Sequence, residues 1–202
     1  CVLRTGWLIF NFQFSILNLK TVMFFKDIVG QQDVIERLIK DAQAGTVPHA
    51  LLFCGPEGVG KLQTAIAFAR YLLCRDKGQA QESCGTCPSC VKMDKLVHPD
   101  LHFVFPVINK SKTAGRSTVS DDEITAWRET ALDNQYFSFE EWLSAIDADN
   151  KQASIFVTES EQILSKLSLK SVEGGYKIMI IWHAEKMNQQ CANSLLKLLE
   201  EP

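Results

Sequence analysis

GPEGVGKL, residues 55–62, is the stretch that decides the fold, because it follows the phosphate-loop pattern G-x-x-x-x-G-K-[ST] except at its last position. In such a loop, glycines allow backbone N–H groups to surround phosphate, a lysine neutralises its charge, and a hydroxyl ligates Mg²⁺. The candidate nucleotide-binding residues are therefore Gly55, Gly58, Gly60 and Lys61. Leu62 stands where the hydroxyl is expected, so the pattern predicts a phosphate cradle that lacks its metal ligand.

The sequence on either side of the loop favours this interpretation. Residues 49–55 (HALLFCG) form a short apolar run, which predicts a buried strand that enters the glycine turn. Residues 62–74 carry apolar side chains at helical spacing and predict a helix. A phosphate loop needs this order, because the phosphate binds at the helix N-terminus. The alternative is an ordinary strand, turn and helix with a chance lysine.

Composition indicates a globular domain. The chain has 202 residues, of which 46% are hydrophobic and 22% charged, and these fractions are sufficient for a hydrophobic core. Its net charge of −3 gives no basic footprint of the kind that nucleic-acid-binding domains carry. Any contact with DNA is therefore expected to come from a local patch or through partner proteins.

The first residues do not fit a targeting segment. Residues 1–22 are apolar, but Asn11, Gln13, Asn18 and Lys20 interrupt the run, so they predict neither a signal peptide nor a membrane-spanning helix. We expect residues 1–22 to be a non-native leader upstream of a natural start at Met23. A membrane-proximal segment is the alternative. The expected location is cytoplasmic, without a membrane partner.

Four cysteines have the spacing of a metal site. They follow the pattern C-x9-C-x2-C-x2-C, at Cys74, Cys84, Cys87 and Cys90. Four thiolates can close a tetrahedral structural Zn²⁺ site, so residues 74–90 predict a zinc knuckle without an open position for catalysis. Disulfides and free core thiols are the alternatives, and disulfides fit poorly with a chain that has no secretion signal.

The remaining cysteines and two histidines have simpler interpretations. Cys54 and Cys191 are expected to be buried, small apolar residues. His98 and His102 could in principle ligate zinc, but four thiolates already satisfy the metal, so both are expected to lie in a loop or strand.

The second half of a nucleotide site also departs from the pattern of an active ATPase. Residues 178–181 (IMII) predict a strand buried in a parallel sheet, and an acidic residue should follow it to hold the Mg²⁺ shell. Trp182 and His183 stand there instead. Glu185 could be a displaced acid, although a structural role is favoured. Two losses of metal chemistry predict a subunit that does not hydrolyse nucleotide. A helix over residues 189–202, capped by Asn188, is expected next.

Several stretches carry a family resemblance. They are FKDIVGQ (25–31), PHALLFCGPEGVGK (48–61), the four cysteines followed by HPDLH (98–102), and AEKMNQQCANSLLKLLEEP (184–202). Together they resemble the bacterial DNA polymerase III clamp-loader family, within the AAA+ ATPases. The resemblance implies an α/β fold, in which a P-loop AAA+ core has a parallel sheet flanked by helices and the knuckle is inserted after the P-loop helix. The altered metal positions make the chain similar to the delta-prime type rather than to the gamma/tau type.

The resemblance also implies a function. A pentameric loader opens the ring-shaped sliding clamp and places it on primed DNA, with gamma subunits hydrolysing ATP and delta-prime acting as a stator. The implied partners are the gamma/tau and delta subunits, the clamp indirectly, and primed DNA within the complex. Residues 23–202 would be a partial AAA+ domain that ends before the lid and collar, with no catalytic residue of its own; ATP binding stays open. The alternatives are an ATP-hydrolysing gamma/tau-type subunit and a zinc-knuckle protein that binds nucleic acid directly.

The middle of the chain departs from the family pattern. Residues 109–150 predict an insertion of polar loop and short helices, with capping boxes at Ser120/Glu123 and Ser138/Glu141. Residues 153–171 predict a strand followed by a helix. Basic side chains at Lys110, Lys112 and Arg116 are expected to form a solvated loop, with a phosphate contact as the alternative.

Overall fold

The computed structural model describes residues 23–78, 80–110, 118–149 and 151–200. The predicted leader at 1–22 and the basic positions at 112 and 116 lie outside these residues. The helices are α1 Gln32–Ala44, α2 Lys61–Leu73, α3 Pro88–Met93, α4 Ile124–Asp133, α5 Phe139–Ala145, α6 Val157–Ser168 and α7 Gln189–Glu200. The strands are β1 Leu101–Val104 and β2 Ile178–Ile181, and short 3₁₀ turns lie at Phe25–Asp27, Ser120–Glu123 and Ala184–Lys186.

The two strands pair in parallel, which confirms an α/β fold with a parallel sheet. Leu101 lies opposite Ile178, and Val104 lies opposite Ile181. The Trp182 N–H extends the ladder by donating to the Val104 carbonyl at 2.8 Å. The predicted strand at 178–181 is therefore observed. Parallel strands need covered faces, and helices from both halves of the described chain provide that cover.

The prediction of a buried strand over residues 49–55 is wrong. These residues lie outside the β1–β2 sheet, and Leu51 and Leu52 are 42% and 84% exposed. Phe53 alone among the run's large side chains packs against the core formed by α1 and α2. An apolar run shows what a strand could bury, but a strand also needs backbone partners beside it. Within the described residues, no element supplies these partners to the segment.

The helix after the phosphate loop is central to the fold. The predicted helix at 62–74 is observed as α2, and it is buried along almost its whole length. Its side chains Phe68, Tyr71 and Leu72 pack against α1 in one apolar cluster. On another face, Ile66 and Leu73 join the main core beneath β1. Because α2 is fixed on both sides, the loop at its N-terminus is held in place.

The predicted insertion contributes much of the main core. The described part of residues 109–150 forms short helices, as expected, but Trp127 of α4 and Trp142 of α5 are both fully buried. The Trp127 ring stacks on Phe105, with centroids 5.3 Å apart and an interplanar angle of 6°. The Trp142 indole N–H donates to the Pro106 carbonyl at 2.8 Å. The segment is therefore joined to the end of β1 by packing and by hydrogen bonding.

One predicted capping box is confirmed and the other is wrong. In α5, the Glu141 N–H donates to the Ser138 hydroxyl at 3.2 Å, and the Ser138 N–H donates to the Glu141 carboxylate at 2.6 Å. Ser120 instead lies inside a 3₁₀ turn, and its buried hydroxyl bonds both the N–H and the carbonyl of Phe105 at 3.0 and 3.1 Å. A tertiary partner has replaced the local cap that sequence spacing predicts.

The other predicted elements are largely observed. Residues 157–168 form the expected helix α6, although the strand before it is reduced to bridges at Ser154 and Ile155. Helix α7 begins as predicted, because the Asn188 carboxamide oxygen accepts from the Cys191 N–H at 2.8 Å. Cys191 is buried as expected, but Cys54 is exposed, which corrects that prediction. The error has the same cause as the missing strand, since Cys54 lies in the same unpaired segment.

Candidate nucleotide site and cysteine cluster

The phosphate loop has the backbone that its glycines permit. Gly58 and Gly60 have φ angles of +73° and +93°, in the region that L side chains rarely adopt. Gly60 is also the N-cap of α2, so the unpaired N–H groups of the first helical turn follow directly after it. Such groups favour a bound anion. The structure therefore brings the predicted cradle residues together at the start of a fixed helix.

The lysine of the loop folds back across it. The Lys61 ammonium donates to the carbonyl oxygens of Gly55 and Pro56 at 2.8 and 2.6 Å. These bonds close the loop on itself. A phosphate bound in the cradle would have to draw the ammonium away from both carbonyls.

Leu62 has become part of the core. Its side chain is only 7% exposed and packs with Ile66 and other residues of the main apolar cluster. The next hydroxyl along α2 belongs to Thr64, which is buried and donates to the Gly60 carbonyl at 2.8 Å. The start of α2 therefore presents an apolar side chain at the position of the metal-binding hydroxyl, and the nearest hydroxyl on the helix is already engaged.

The end of β2 is aromatic instead of acidic. The Trp182 ring lies 4.8 Å from Phe137 and 4.3 Å from His183, measured between centroids. His183 has a left-handed backbone with φ of 55°. Its Nδ1 lies 2.6 Å from the Glu185 carboxylate, whose side chain is 64% exposed. Partial burial opposes ionisation of Glu185, but the bond to His183 lowers its pKa overall. Glu185, the first acid that follows this strand in the sequence, is thus paired within its own turn.

Residues 134–139 lie between the two halves of this site. A carbon of the Tyr136 ring lies 3.7 Å from the position that a Cβ on Gly60 would take. The Tyr136 hydroxyl accepts from the Val29 N–H at 3.3 Å. On the other side, Phe137 and Phe139 contact Trp182. Sequence reasoning missed these residues, because it treated them as part of an insertion. The aromatic spacing in QYFSFEEW (135–142) was the available signal.

The four predicted cysteines form a compact cluster. Their sulfur atoms all lie within 4.8 Å of one another, and Cys74, Cys87 and Cys90 are buried. The Sγ atoms of Cys84 and Cys90 are 3.9 Å apart. A regular ZnS₄ tetrahedron with Zn–S bonds of about 2.3 Å has edges of about 3.8 Å. The donor set and its spacing therefore fit a four-coordinate metal such as Zn²⁺. Neither His98 nor His102 belongs to the cluster; His98 lies in the loop before β1 and His102 lies in β1, as expected.

Backbone N–H groups point at the sulfur atoms. The Cys84 N–H donates to the Cys74 sulfur at 3.3 Å, and the Cys87 N–H donates to the Cys84 sulfur at 3.3 Å. Backbone bonds from Thr86 and Cys87 lower the pKa of Cys84 to about 6. Burial raises the pKa of Cys74 and of Cys90. Four thiolates in this setting would need a positive charge to offset burial, and a metal ion held by the cluster would supply it.

Glu173 joins the cysteine cluster to the sheet, and no sequence motif indicates it. Its carboxylate accepts from Arg75 at 3.1 Å, from Ser89 at 3.1 Å, and from Lys92. The hydrogen bond from Lys92 is the main reason that the pKa of Glu173 falls to about 2. These partners all lie between or beside the cysteines, whereas Glu173 lies in the turn before β2.

Two further residues fix this junction from the β1 side. The Asp100 carboxylate accepts from the backbone N–H groups of Val172 and Glu173 at 2.6 and 2.9 Å. Burial lowers the pKa of His98, so its neutral ring accepts from the Asp100 N–H at Nδ1 and faces the Glu173 carboxylate at 3.3 Å through Nε2. The cysteine cluster is therefore attached to the turn before β2 through the Glu173 carboxylate, and that turn is attached to the start of β1 through the Asp100 carboxylate.

Comparison with known proteins gives the family. Residues 30–202 match the model of the family described as DNA polymerase III, delta subunit. The chain belongs to this family. It is 31% identical over 172 residues to DNA polymerase III subunit delta' of Bacillus subtilis strain 168, covering 85% of this chain and 38% of that protein. It is 28% identical over 167 residues to subunit delta' of Escherichia coli K12, covering 83% and 37%.

The chain is also similar to tau/gamma proteins. It is 26% identical over 178 residues to DNA polymerase III subunit tau/gamma of Haemophilus influenzae, covering 88% of this chain and 19% of that protein. The clamp-loader resemblance drawn from the motifs is thereby confirmed as a delta-prime/gamma-tau family relationship. The chain spans at most 38% of the length of these relatives. Among the described residues, none of the helices has both the length and the apolar character needed to cross a bilayer.

Proposed function

We propose that the chain is a delta-prime-type subunit of the DNA polymerase III clamp loader, and that it acts in DNA replication as a stator without hydrolysing ATP. The observation that carries this proposal is the fate of the two metal-binding positions. Leu62 is buried in the main core, and Trp182 and His183 form an aromatic cluster with Phe137 and Phe139. At both positions, a side chain that packs against its neighbours stands where a metal ligand is expected.

The chemistry of phosphoryl transfer explains why this matters. In P-loop ATPases, a metal ion bridges the β- and γ-phosphates and neutralises the charge that develops on them. The hydroxyl after the lysine and an acid at the neighbouring strand end hold that ion. In this chain Leu62 and Trp182 replace those ligands, so the two ends of the site offer apolar surface to Mg²⁺. Residues Gly55, Gly58, Gly60 and Lys61 would still contact phosphates of a nucleotide that binds without turnover.

The cysteine cluster has a structural part in this proposal. Cys74, Cys84, Cys87 and Cys90 would hold one Zn²⁺ and close the knuckle at residues 74–90. All four donors are protein sulfur atoms, so no position is left for a reactive water. The knuckle is tied to the turn before β2 through Glu173. Zinc would therefore stabilise the domain without taking part in a reaction.

The proposed partners follow from the relatives. The names of the delta' and tau/gamma proteins place them in DNA polymerase III, and we extend this assembly to the present chain in the cytoplasm. It would contact gamma/tau and delta subunits directly. The sliding clamp and primed DNA would be reached within the assembled loader, consistent with a net charge of −3 that gives no general affinity for DNA.

Steady-state ATP hydrolysis tests this function. We expect the full-length protein to show no turnover above background alone, and to support clamp loading when mixed with gamma/tau and delta subunits. In that mixture, replacing Lys61 by Ala should leave hydrolysis unchanged, because the turnover belongs to the partner subunits. Turnover by the isolated protein that is lost on Lys61→Ala would contradict the stator function and favour the gamma/tau-type alternative.

A further inference from the structure

We infer that the Tyr136 side chain blocks the phosphate loop at residues 55–62, and that a nucleotide must displace this side chain in order to bind. This inference rests on the proposed function only in taking the loop at residues 55–62 as the nucleotide site. It adds a regulatory residue that no motif of the loop contains. The residue comes from the segment between α4 and α5, more than seventy positions further along the chain.

The position of the Tyr136 side chain is the first argument. Its side chain spans the turn before α1 and the turn before α2. The hydroxyl accepts from the Val29 N–H at 3.3 Å, and a ring carbon lies 3.7 Å from the position that a Cβ on Gly60 would take. The starts of two helices meet there, and helix starts carry the unpaired N–H groups that an anionic ligand would use. Tyr136 supplies a protein acceptor to one backbone N–H at the junction and covers the last glycine of the loop.

The second argument is that the backbone around Tyr136, at residues 134–137, is held in place. The Tyr136 N–H donates to the Asn134 side-chain oxygen at 3.1 Å, and the Asn134 amide donates to Glu141 at 3.2 Å. The side-chain amide of Gln63, in α2 itself, donates to the Gln135 carbonyl. Phe137 is 7% exposed and belongs to the main core. The segment thus cannot leave as a whole without breaking core contacts.

The side chain itself can move, which is the third argument. Tyr136 is 38% exposed, in contrast to the buried Phe137 beside it. Rotation about its side-chain bonds would move the ring away from Gly60, which Ile28 also faces, and would free the Val29 N–H without disturbing the backbone. Two side chains then close the loop. Tyr136 covers it with its ring, and the Lys61 ammonium donates to the carbonyls of Gly55 and Pro56. An equilibrium between closed and open forms raises the apparent dissociation constant by the inverse of the open fraction.

Calorimetric titration of the full-length protein with ADP tests this inference. Tyr136→Ala removes the ring and its hydrogen bond, and we expect it to bind ADP about tenfold or more tightly than the wild type. Tyr136→Phe keeps the ring in place and removes only the bond to Val29, so a gain of about two- to tenfold is expected, as for one net hydrogen bond. Because Tyr136→Phe keeps the ring, it still tests the inference if Tyr136→Ala fails to fold.

The control variants separate displacement from general effects. Tyr176→Ala removes a tyrosine of similar exposure, 39%, in the turn before β2, and should leave ADP affinity unchanged. Lys61→Ala added to Tyr136→Ala should abolish the gain, because the released site is the loop itself. Affinities that are equal in the wild type and in both Tyr136 variants, including no binding by any of them, would overturn the inference. ATP turnover by the wild type would instead contradict the stator function and leave this order of affinities intact.

Discussion

At the scale of single residues, Glu173 shows how one carboxylate can organise a whole region. It gathers Arg75, Ser89 and Lys92 from around the cysteine cluster, and its own backbone N–H is held by Asp100 before β1. Charge-assisted hydrogen bonds of this kind are stronger than neutral ones. Arg75 and Lys92 are 52% and 41% exposed, so solvent screens part of the attraction.

Glu173→Gln should lower the free energy of unfolding at neutral pH and should make this free energy depend less on pH in the acid range. The pKa of Glu173 is lowered from 4.5 to about 2 in the folded protein, mainly by the bond from Lys92. Its contribution is therefore complete above pH 4.5 and is lost as the pH falls towards 2. Between pH 7 and pH 3, urea unfolding should show a smaller loss of unfolding free energy for the variant than for the wild type. Glu161→Gln, at an exposed position of α6, is the control. An equal acid dependence in all three proteins would contradict this role.

At the scale of elements, α5 illustrates how a local signal sets the position of functional side chains. Its capping box at Ser138 and Glu141 fixes where the helix begins, and the residues just before the cap are those that reach the phosphate loop and Trp182. Trp142, in the second turn of α5, anchors the helix by donating to the Pro106 carbonyl. The start of this helix therefore determines where Tyr136 and Phe137 are placed.

Ser138→Ala should lower the free energy of unfolding by about 1 kcal/mol, because it leaves an N–H of the first turn without its side-chain acceptor. Chemical denaturation at pH 7 measures this loss. Ser168→Ala is a suitable comparison, since that hydroxyl bonds a carbonyl at the exposed C-terminus of α6. A cost at Ser138 no larger than at Ser168 would show that the capping box contributes little to stability.

The same elements show which parts of the structure could be predicted from sequence. Helices α2 and α7, the strand β2, the cap of α5 and the cysteine cluster have local patterns, so their spacing alone predicts them. The segment 49–55 has an equally clear apolar pattern, but whether it forms a strand depends on neighbours that no local pattern reports. Ser120 fails as a predicted cap for a similar reason, because its hydroxyl binds Phe105 across the fold.

The candidate site was predictable only in part, again for physical reasons. The glycines and lysine of residues 55–62, and the absence of a hydroxyl or an acid at positions 62, 182 and 183, are visible in the sequence itself, and they carry the prediction of an altered nucleotide site. Tyr136 and Glu173 act across more than seventy residues of sequence, through the contacts with Gly60 and with the cysteine cluster. Such contacts depend on how helices pack, and neither residue carries a motif of its own.

At the scale of the whole molecule, the cysteine cluster is coupled to the sheet and through it to the main core. Structural zinc sites contribute binding free energy to folding, on the order of 10–16 kcal/mol in small zinc-binding peptides. If the cluster holds zinc as proposed, its loss is expected to affect the whole domain and not the knuckle alone, because Glu173 and Asp100 join the knuckle to β1 and β2.

Cys87→Ser should therefore remove bound zinc and lower the melting temperature of the full-length protein. Elemental analysis of the purified protein gives the metal content, and a thermal melt gives the stability. Cys54→Ser is the matched control, since Cys54 is exposed and lies outside the cluster. Unchanged zinc content in Cys87→Ser would show that this cysteine is not a ligand. A loss of zinc without a change in melting temperature would contradict the coupling to the sheet.

The burial of Leu62 also bears on how this chain can change over generations. Replacing a core leucine by a small residue typically costs about 2–5 kcal/mol, and domains have only about 5–15 kcal/mol of stability in total. Recovering a hydroxyl at this position would thus weaken the fold, and recovering an acid at Trp182 would disrupt its contacts with Phe137 and Phe139. Each of these substitutions would therefore lower the stability of the fold. We therefore expect descendants of this protein to keep an apolar residue at position 62 and an aromatic residue at position 182, because selection for stability opposes replacing either of them.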